Sequence, residues 1–337
     1  MAKKISFIIV YFNAPDILLQ CLRSILNDSN GFFLEFLIID NSSNVPEDEV
    51  NSLDIVWRKI EPGYNSGFSR GVNLGLKHAS GDYIFIINQD AFLFENNTLN
   101  RIISKIDALP GRTVYGCKII NPAGEFQQSV WIDNPGFARE WRFSAINYKM
   151  NPKWKLSWRI KVDDAHKNEG FVYRLNAAFL VIDKSKTKQI PYFDPDFFLY
   201  GEDVEWAIRI KRNGWVFYFD PTICIKHYGS LSTRNDIKKE AQIMLSGWLV
   251  ILKTKGRIFL FLFILYFYIN YLLDAVLDKL KRNRLSKASE SKDSFNKRQM
   301  IKSFLLKKYA IKVLFAKKLS NEKTFLFNCY DEDINID

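Results

Sequence analysis

Three short apolar runs among the first 90 residues each end on an Asn or Asp, and that recurrence constrains the fold more than any other feature. Ile5 to Val10 is followed closely by Asn13, Leu34 to Ile39 stops at Asp40, and Tyr83 to Ile87 runs into Asn88-Gln89-Asp90. Runs of five or six residues have the length of buried strands. Between them lie helical stretches. Pro15 can open a helix through Leu18, Leu19, Leu22 and Ile25, and the Gly-punctuated segment from Gly63 to Ala79 follows a weaker strand near Ile55 to Ile60. Strands alternating with helices predict an α/β domain. Open α/β sheets gather ligands at the C-terminal ends of their strands, so Asn13, Asp40 and the Asn88/Asp90 pair mark one cleft.

Beyond residue 120 the pattern loosens. Asn121 to Gly170 is aromatic and basic, with Trp131, Trp141, Trp154 and Trp158 placed either to stack on sugar rings or to fill a small core. Phe171 to Ile182 reads as a strand, Tyr200 to Trp206 as an acidic segment opening a helix that Gly214 ends, and Val216 to Phe219 as a further strand before His227. A helix from about Asp236 to Lys253 closes the globular part. The expected division is 1–256, with halves at about 1–120 and 121–256, followed by a helical C-terminal extension at 257–337. The Lys/Ser-rich stretch from Arg282 to Lys297 is expected to be a linker. His78 and His166 look like solvated residues. The four cysteines are widely spaced with no CxxC, and Ile5 to Val10 is too short for a signal's apolar region, so a reducing, cytoplasmic setting is expected.

Charge is concentrated in one place. Asp278 to Lys318 holds 14 Lys/Arg against 3 Asp/Glu, a net +11 that equals the excess of the whole chain. A nucleic-acid surface would spread that charge over a fold. A basic tail behind an apolar run instead suits an anionic membrane surface. The run itself, Ile258 to Ile269, is twelve residues long. As a helix it covers about 18 Å, short of a hydrocarbon core of about 30 Å. Attachment in the membrane plane is preferred. Spanning would bury Asn270 and Asp274 in lipid and place the basic tail opposite the catalytic domain; it and a subunit interface are the alternatives for Ile258 to Leu273.

Asp90, just past a strand, suits a divalent metal, or equally caps the next turn. Gly71 and Gly75 share a helical face that suits close packing on the sheet, whereas Gly67 stands at the turn into that helix. No GxGxxG or GxxxxGK[ST] occurs, which disfavours a Rossmann dehydrogenase or a P-loop NTPase. Gln127 and Gln128 before Trp131 do not form a QxxRW signature, because Val130 stands where the Arg would be.

Five blocks in order, SFIIVYFN (6–13), LIIDNSS (37–43), NSGFSRGVNLGLKHASGDYIFIINQDAFL (65–93), FDPDFFLYGEDVEWAIRIKRNGW (193–215) and HYGS (227–230), make the chain resemble the family 2 glycosyltransferases, and within them the rhamnosyltransferase-like group. The resemblance runs from Ser6 to about Ser232. It implies a GT-A nucleotide-diphospho-sugar transferase fold, with a mixed central sheet flanked by helices. It places Asn13 and Asp40 at the base and ribose, and Asn65, Gly67, Phe68 and Asn73 beside the nucleotide. Asp90 falls at the metal-binding DXD motif, where Asn88 replaces the first Asp and is left with metal, ribose or water as its partner. His227 takes the position of a metal-binding His, and Asp203 that of the general base, with Glu202 contacting acceptor or orienting the base. Glu205 stands where Asp is more usual. An acidic first turn favoured by the helix dipole is the alternative for these carboxylates.

Inverting transfer needs one carboxylate to take the acceptor's proton and a cation to stabilise the departing diphosphate. The resemblance therefore implies Mg2+ or Mn2+, a nucleotide-diphospho-sugar donor (dTDP-rhamnose first, a UDP-hexose next), and a lipid-linked or cell-surface glycan acceptor. The enzyme is expected to be peripheral at the inner face of the cell membrane. A non-catalytic membrane adaptor that keeps the cleft, or a nucleotidyltransferase, are the competing readings. The latter would want a Gly/Arg/Lys-rich phosphate loop where Tyr11-Phe12-Asn13-Ala14 stand.

Overall fold

The computed structural model describes residues 3–29, 31–132, 163–187, 189–229, 236–282, 289–321 and 323–330. Trp141, Trp154, Trp158 and Ser230 lie outside these. Contacts divide the chain into two compact units, one of residues 1–134, 159–195 and 206–234, the other of 135–158, 196–205 and 235–337. The sequence expectation put the boundary at 256. By contacts, the C-terminal unit also takes in the helix from 236 and the short segment 196–205.

In chain order the first unit carries β1 (Lys4–Tyr11), α1 (Pro15–Leu26), β2 (Phe33–Asp40), α2 (Glu47–Asn51), β3 (Trp57–Ile60), α3 (Gly67–His78), β4 (Tyr83–Ile87), β5 (Ala91–Leu93) and α4 (Thr98–Ala108). Then come β6 (Thr113–Ile120), β7 (Phe126–Gln127), β8 (Val130–Trp131), β9 (Gly170–Val172), β10 (Arg174–Leu175) and β11 (Phe179–Asp183). Helix α5 (Glu202–Lys211), through which the division passes, and β12 (Val216–His227) complete it. The main sheet runs β3-β2-β1-β4-β11-β6-β12-β5, with β7 on β6 and β9 on β12, while β8 and β10 form a separate antiparallel pair. Strands β3, β2, β1 and β4 are parallel, β11 is antiparallel to both its neighbours, and β5 is antiparallel to β12, so the sheet is mixed as expected.

Both faces of the sheet are covered, which is why β4 and the Phe7–Tyr11 part of β1 read as unbroken apolar runs. On one face Phe7, Phe36, Phe85 and Phe179 meet α1 and α4 through Leu22, Ile25, Ile102 and Ile106. The four rings form a row across β2, β1, β4 and β11, with centroids 4.9–5.9 Å apart. The opposite face packs Ile8, Leu37, Ile84 and Ile182 under α3 and α5, including the buried Trp206. Here Gly71 and Gly75 do what a smooth helix face allows. A Cβ on Gly75 would stand 2.3 Å from Ile8 Cγ2, and one on Gly71 2.9 Å from Val10 Cγ2.

Three expectations are corrected. The single strand expected over 171–182 is broken into three, because Asn176 accepts the Ala178 N–H on its own side chain and turns the chain out of the sheet. The strand expected to stop at Phe219 continues to His227 across Pro221, through an irregularity held by Asp220, which accepts from Thr222 and from the Tyr115 hydroxyl. His166 is not solvated: it is buried, and its Nε2 accepts the N–H groups of Ser129 and Val130.

Beyond 235 the second unit carries four helices among its described residues, α6 (Asp236–Lys255), α7 (Arg257–Arg282), α8 (Ser289–Lys308) and α9 (Ala310–Phe315), followed by a non-helical segment. Residues 289–297, expected in a linker, belong to α8. Three serines, Asp293 and Asn296 make them indifferent helix formers, and Lys297 at their end pairs with Glu240 on α6. Trp248 meets Phe267 edge-on, and a mostly buried Lys302–Asp274 pair joins α8 to α7. Buried Gln242 on α6 donates to Phe327 O and accepts from Cys329 N–H, so the C-terminal segment is fastened to α6.

Candidate active site

Parallel strands β1, β2 and β3 step outward in one direction, and β4 returns on the other side of β1. That reversal makes the crevice outside the C-terminal ends of β1 and β4 the natural ligand position. Gln89 bridges it, accepting from Phe12 N–H at 2.9 Å and donating to Phe12 O at 3.0 Å. Asn13, in a left-handed conformation with φ 47°, accepts from Asn44 Nδ2 at 2.8 Å. Asp40 is buried, and its two oxygens accept from Ser42 N–H and Val45 N–H, which folds the loop after β2 around the carboxylate. Burial and then the Asp40 charge push the neighbouring Tyr11 hydroxyl up to about 12, so Tyr11 stays neutral there.

The turn into α3 is fixed by amides. Asn65 accepts the Gly67 N–H, while Asn41 accepts from Ser66 and donates to Gly67 O. Gly67 has φ 66°, which a glycine adopts at no steric cost. Farther along, Asn73 clasps the backbone of Phe193 through both ends of its amide, each at 2.8 Å, and Phe68 meets the Phe193 ring edge-on. These two side chains therefore hold the 193 segment against α3.

Strand register brings Asp90 to His227. Antiparallel pairing sets Ala91 opposite His227 and Phe92 opposite Lys226, and Tyr228 N–H donates to Asp90 O at 3.0 Å. His227 Nε2 then lies 3.2 Å from Asp90 Oδ1 and 3.3 Å from Asn88 Nδ2. On the other side of the ring, Nδ1 is 2.8 Å from Gln127 Oε1, while Gln127 Nε2 donates to His227 O at 2.7 Å. Because the Gln127 amide nitrogen serves the carbonyl, its oxygen is the acceptor that faces Nδ1. The proton then belongs on Nδ1, and Nε2 presents a lone pair. In the neutral ring Nε2 and Asp90 Oδ1 are two acceptors 3.2 Å apart, with Asn88 Nδ2 also at 3.3 Å from Nε2, and a shared cation would relieve the facing of the two acceptors. One carboxylate oxygen and one imidazole nitrogen suit Mn2+ or Mg2+ when phosphate oxygens and water complete the shell. Among the described residues no three His, Cys, Asp or Glu cluster as a metal cage. The nearby Cys21 is fully buried, and burial with the Asp90 charge raises its thiol well above its usual range, so it contributes no thiolate.

Gln127 was not among the expected site residues; its place across β6 from His227 reveals it, and that is a property of the β6–β7 and β6–β12 pairings. Gly229 belongs with it. Its φ is 59°, and a Cβ there would stand 3.2 Å from Gln127 Nε2 and 3.6 Å from His227 Cε1.

In the second unit, Glu202 and Asp203 begin α5 directly after Tyr200 and Gly201, both left-handed at φ 64° and 80°. A left-handed Tyr costs about 1–3 kcal/mol and persists only where its surroundings impose it. Those surroundings are visible. Gly201 is closely flanked by Val250, Phe197 and Ser246, Lys253 pairs with Asp196, and Phe198 packs edge-on to Phe325. Glu202 and Glu205 are buried, and Asp203 is half-buried.

Residues 6–157 match the family model described as Glycosyl transferase family 2. The chain is 24% identical over 254 residues to the O-antigen biosynthesis protein RfbC of Myxococcus xanthus, a match covering 72% of this chain but only 19% of that protein's length. It is 22% identical over 216 residues to an N-acetylglucosaminyl-diphospho-decaprenol L-rhamnosyltransferase of Mycobacterium tuberculosis, covering 59% of this chain and 68% of the relative. In fold it resembles the mannosyltransferase PcManGT from Pyrobaculum calidifontis, solved in complex with GDP-Man and Mn2+. That likeness has TM-score 0.52 at 13% identity and covers 94% of this chain and 89% of that one. GalNAc-T7, solved with UDP, GalNAc and Mn2+, gives TM-score 0.51 at 11% identity, covering 95% of this chain and 59% of that one. With the mixed sheet and the crevice at the β1/β4 reversal in view, residues 6–157 match the family 2 glycosyltransferase model, and the chain has a GT-A-like α/β fold.

Proposed function

We propose that the chain transfers a sugar, with inversion, from a nucleoside diphosphate to a lipid-linked or cell-surface glycan precursor. The Asp90–His227 pair, 3.2 Å apart and backed by Gln127, is the observation that carries the reading. A divalent cation bound there would neutralise charge on the departing diphosphate. Asp90 and His227 would hold it, with Asn88 alongside, and Asn13, Asp40, Asn65 and Gly67 would frame the nucleotide. Asp203 takes the proton of the acceptor hydroxyl. As that oxygen bonds to the anomeric carbon, the bond from the same carbon to the diphosphate breaks, and the nucleoside diphosphate leaves. Glu202 orients Asp203 or the acceptor. The name of the mycobacterial relative supports rhamnose as the sugar, for which dTDP-rhamnose is the first donor to test and a UDP-hexose the next, and the names of both relatives support a role in glycan assembly.

The test is a screen of nucleotide-sugars with Mn2+ or Mg2+ by thermal shift, followed by turnover of the stabilising donor. Asp203→Asn should keep donor affinity within about twofold and lose transfer by about 100-fold or more, the range of a general base. Near-normal turnover in that variant removes Asp203 from the role of base.

A further inference from the structure

Helix α7 has two apolar faces, and among the described residues only one has a partner. Leu260, Phe263 and Ile264 are buried, and Phe267 meets Trp248. Asn270 and Asp274 continue the same face, buried, with Asp274 paired to Lys302. On the opposite face Ile258, Phe259, Phe261, Leu262, Leu265, Tyr268, Ile269, Leu272, Leu273 and Val276 are all exposed, from 38% to 77%. Their spacing of three and four residues makes a continuous stripe along the helix. Two more exposed apolar side chains, Ile311 and Phe315, stand on α9. Arg257, at the start of α7, donates to Leu314 O and Ala316 O and so fixes the end of α9 beside the start of the stripe.

We infer that this stripe, together with α9, docks in the plane of an anionic lipid bilayer; the inference rests on the reading of the chain as a membrane-surface glycan enzyme. Two observations select that occupant. The stripe is longer and more apolar than a soluble surface tolerates. Among the described side chains the exposed charges beside it also have one sign: Lys255, Arg257, Lys307, Lys312, Lys317 and Lys318 are exposed, and in 253–276 and 297–318 the single acidic residue is the buried Asp274. A second copy presenting the same face would oppose cation to cation. A crossing helix is disfavoured because its other face already meets α6 through Trp248–Phe267 and α8 through the mostly buried Asp274–Lys302 pair, which would have to enter lipid too. The segment Arg257–Asp274 passes for a span by length and composition alone. An in-plane helix satisfies both faces: apolar side chains enter the acyl boundary, and the flanking Lys and Arg meet acidic headgroups.

The experiment is flotation of the full chain with vesicles of phosphatidylcholine alone and of phosphatidylcholine with 30% phosphatidylglycerol. The chain should float with the anionic vesicles at least tenfold more than with neutral ones. The variant Phe261→Ser/Leu265→Ser/Leu272→Ser should lose at least tenfold of that binding, and far-UV circular dichroism should show its helix content unchanged. Equal flotation of variant and parent, equal binding to neutral and anionic vesicles, or a parent dimer that the variant converts to monomer would each overturn the inference. Flotation is read without any sugar transfer. A chain that floats but stabilises with no nucleotide-sugar sinks the enzymatic reading, and one that transfers sugar but stays at the bottom of the gradient sinks this one.

Discussion

Replacing Gln127 by Leu removes two hydrogen bonds to His227 while leaving Asp90, Asn88 and the imidazole itself in place. In the parent, the amide oxygen holds the proton on Nδ1 and so leaves Nε2 free to bind a cation. In the variant nothing imposes that tautomer, and the ring also loses the contact that fixes its orientation. Partners of this kind typically contribute ~10–100-fold in metal affinity, which corresponds to about 1.4–2.8 kcal/mol. One neutral hydrogen bond of about 0.5–1.5 kcal/mol plus the freedom regained by the ring accounts for that range. Mn2+ binding, read from the free-ion electron paramagnetic resonance signal with excess nucleoside diphosphate present, should weaken by that factor. Imidazole 15N shifts of the metal-free protein should move away from the Nδ1–H form. A variant that binds Mn2+ within twofold of the parent, while His227→Ala abolishes binding, would refute the reasoning, since the tautomer would then not depend on Gln127.

Two further outcomes concern the scaffold. Gly75→Ala places a methyl 2.3 Å from Ile8 Cγ2; overpacking costs about 1–3 kcal/mol and the gain in helix propensity returns about 1, so denaturant midpoints should fall, and an unchanged midpoint would deny the close α3–β1 packing. Glu35 is held below its usual carboxylate range: burial opposes ionisation, but hydrogen bonds from Ser6 and Ser80 and the Lys4 charge outweigh it. A depressed folded value means stability that is present above the unfolded value and lost as pH falls through the folded one. The parent and Glu35→Gln should therefore differ most near neutral pH and converge in acid, as read by urea midpoints across that range; parallel curves would remove Glu35 from the acid transition.

The strands and their polar ends were legible because each buried strand leaves an apolar run and each loop at the crevice leaves an Asn or Asp. Tyr83 to Ile87 was found to the residue. What stayed hidden depended on who faces whom. Asp90 and His227 are 137 positions apart in the numbering, and only the β5–β12 register joins them; the resemblance supplied that pair, whereas spacing could not. Gln127 was noticed only for a QxxRW signature it does not form, and nothing in the sequence pointed from it to His227. His166 was misread because its charged neighbours suggested solvent, yet two backbone N–H groups in a fold corner needed an acceptor. On α7 the apolar run was plain, but its division into a packed face and a bare one is set by α6 and α8, which the run itself does not contain.

The central claim is that Asp90 and His227 hold a cation that only the donor's diphosphate completes. Isothermal titration of Mn2+ into the full chain, alone and with saturating nucleoside diphosphate, tests it most directly. The account predicts weak binding alone, binding tightened at least tenfold by the diphosphate, and loss of that tightening in Asp90→Asn and in His227→Ala. Equal Mn2+ affinity with and without the diphosphate, or full tightening in either variant, would contradict it.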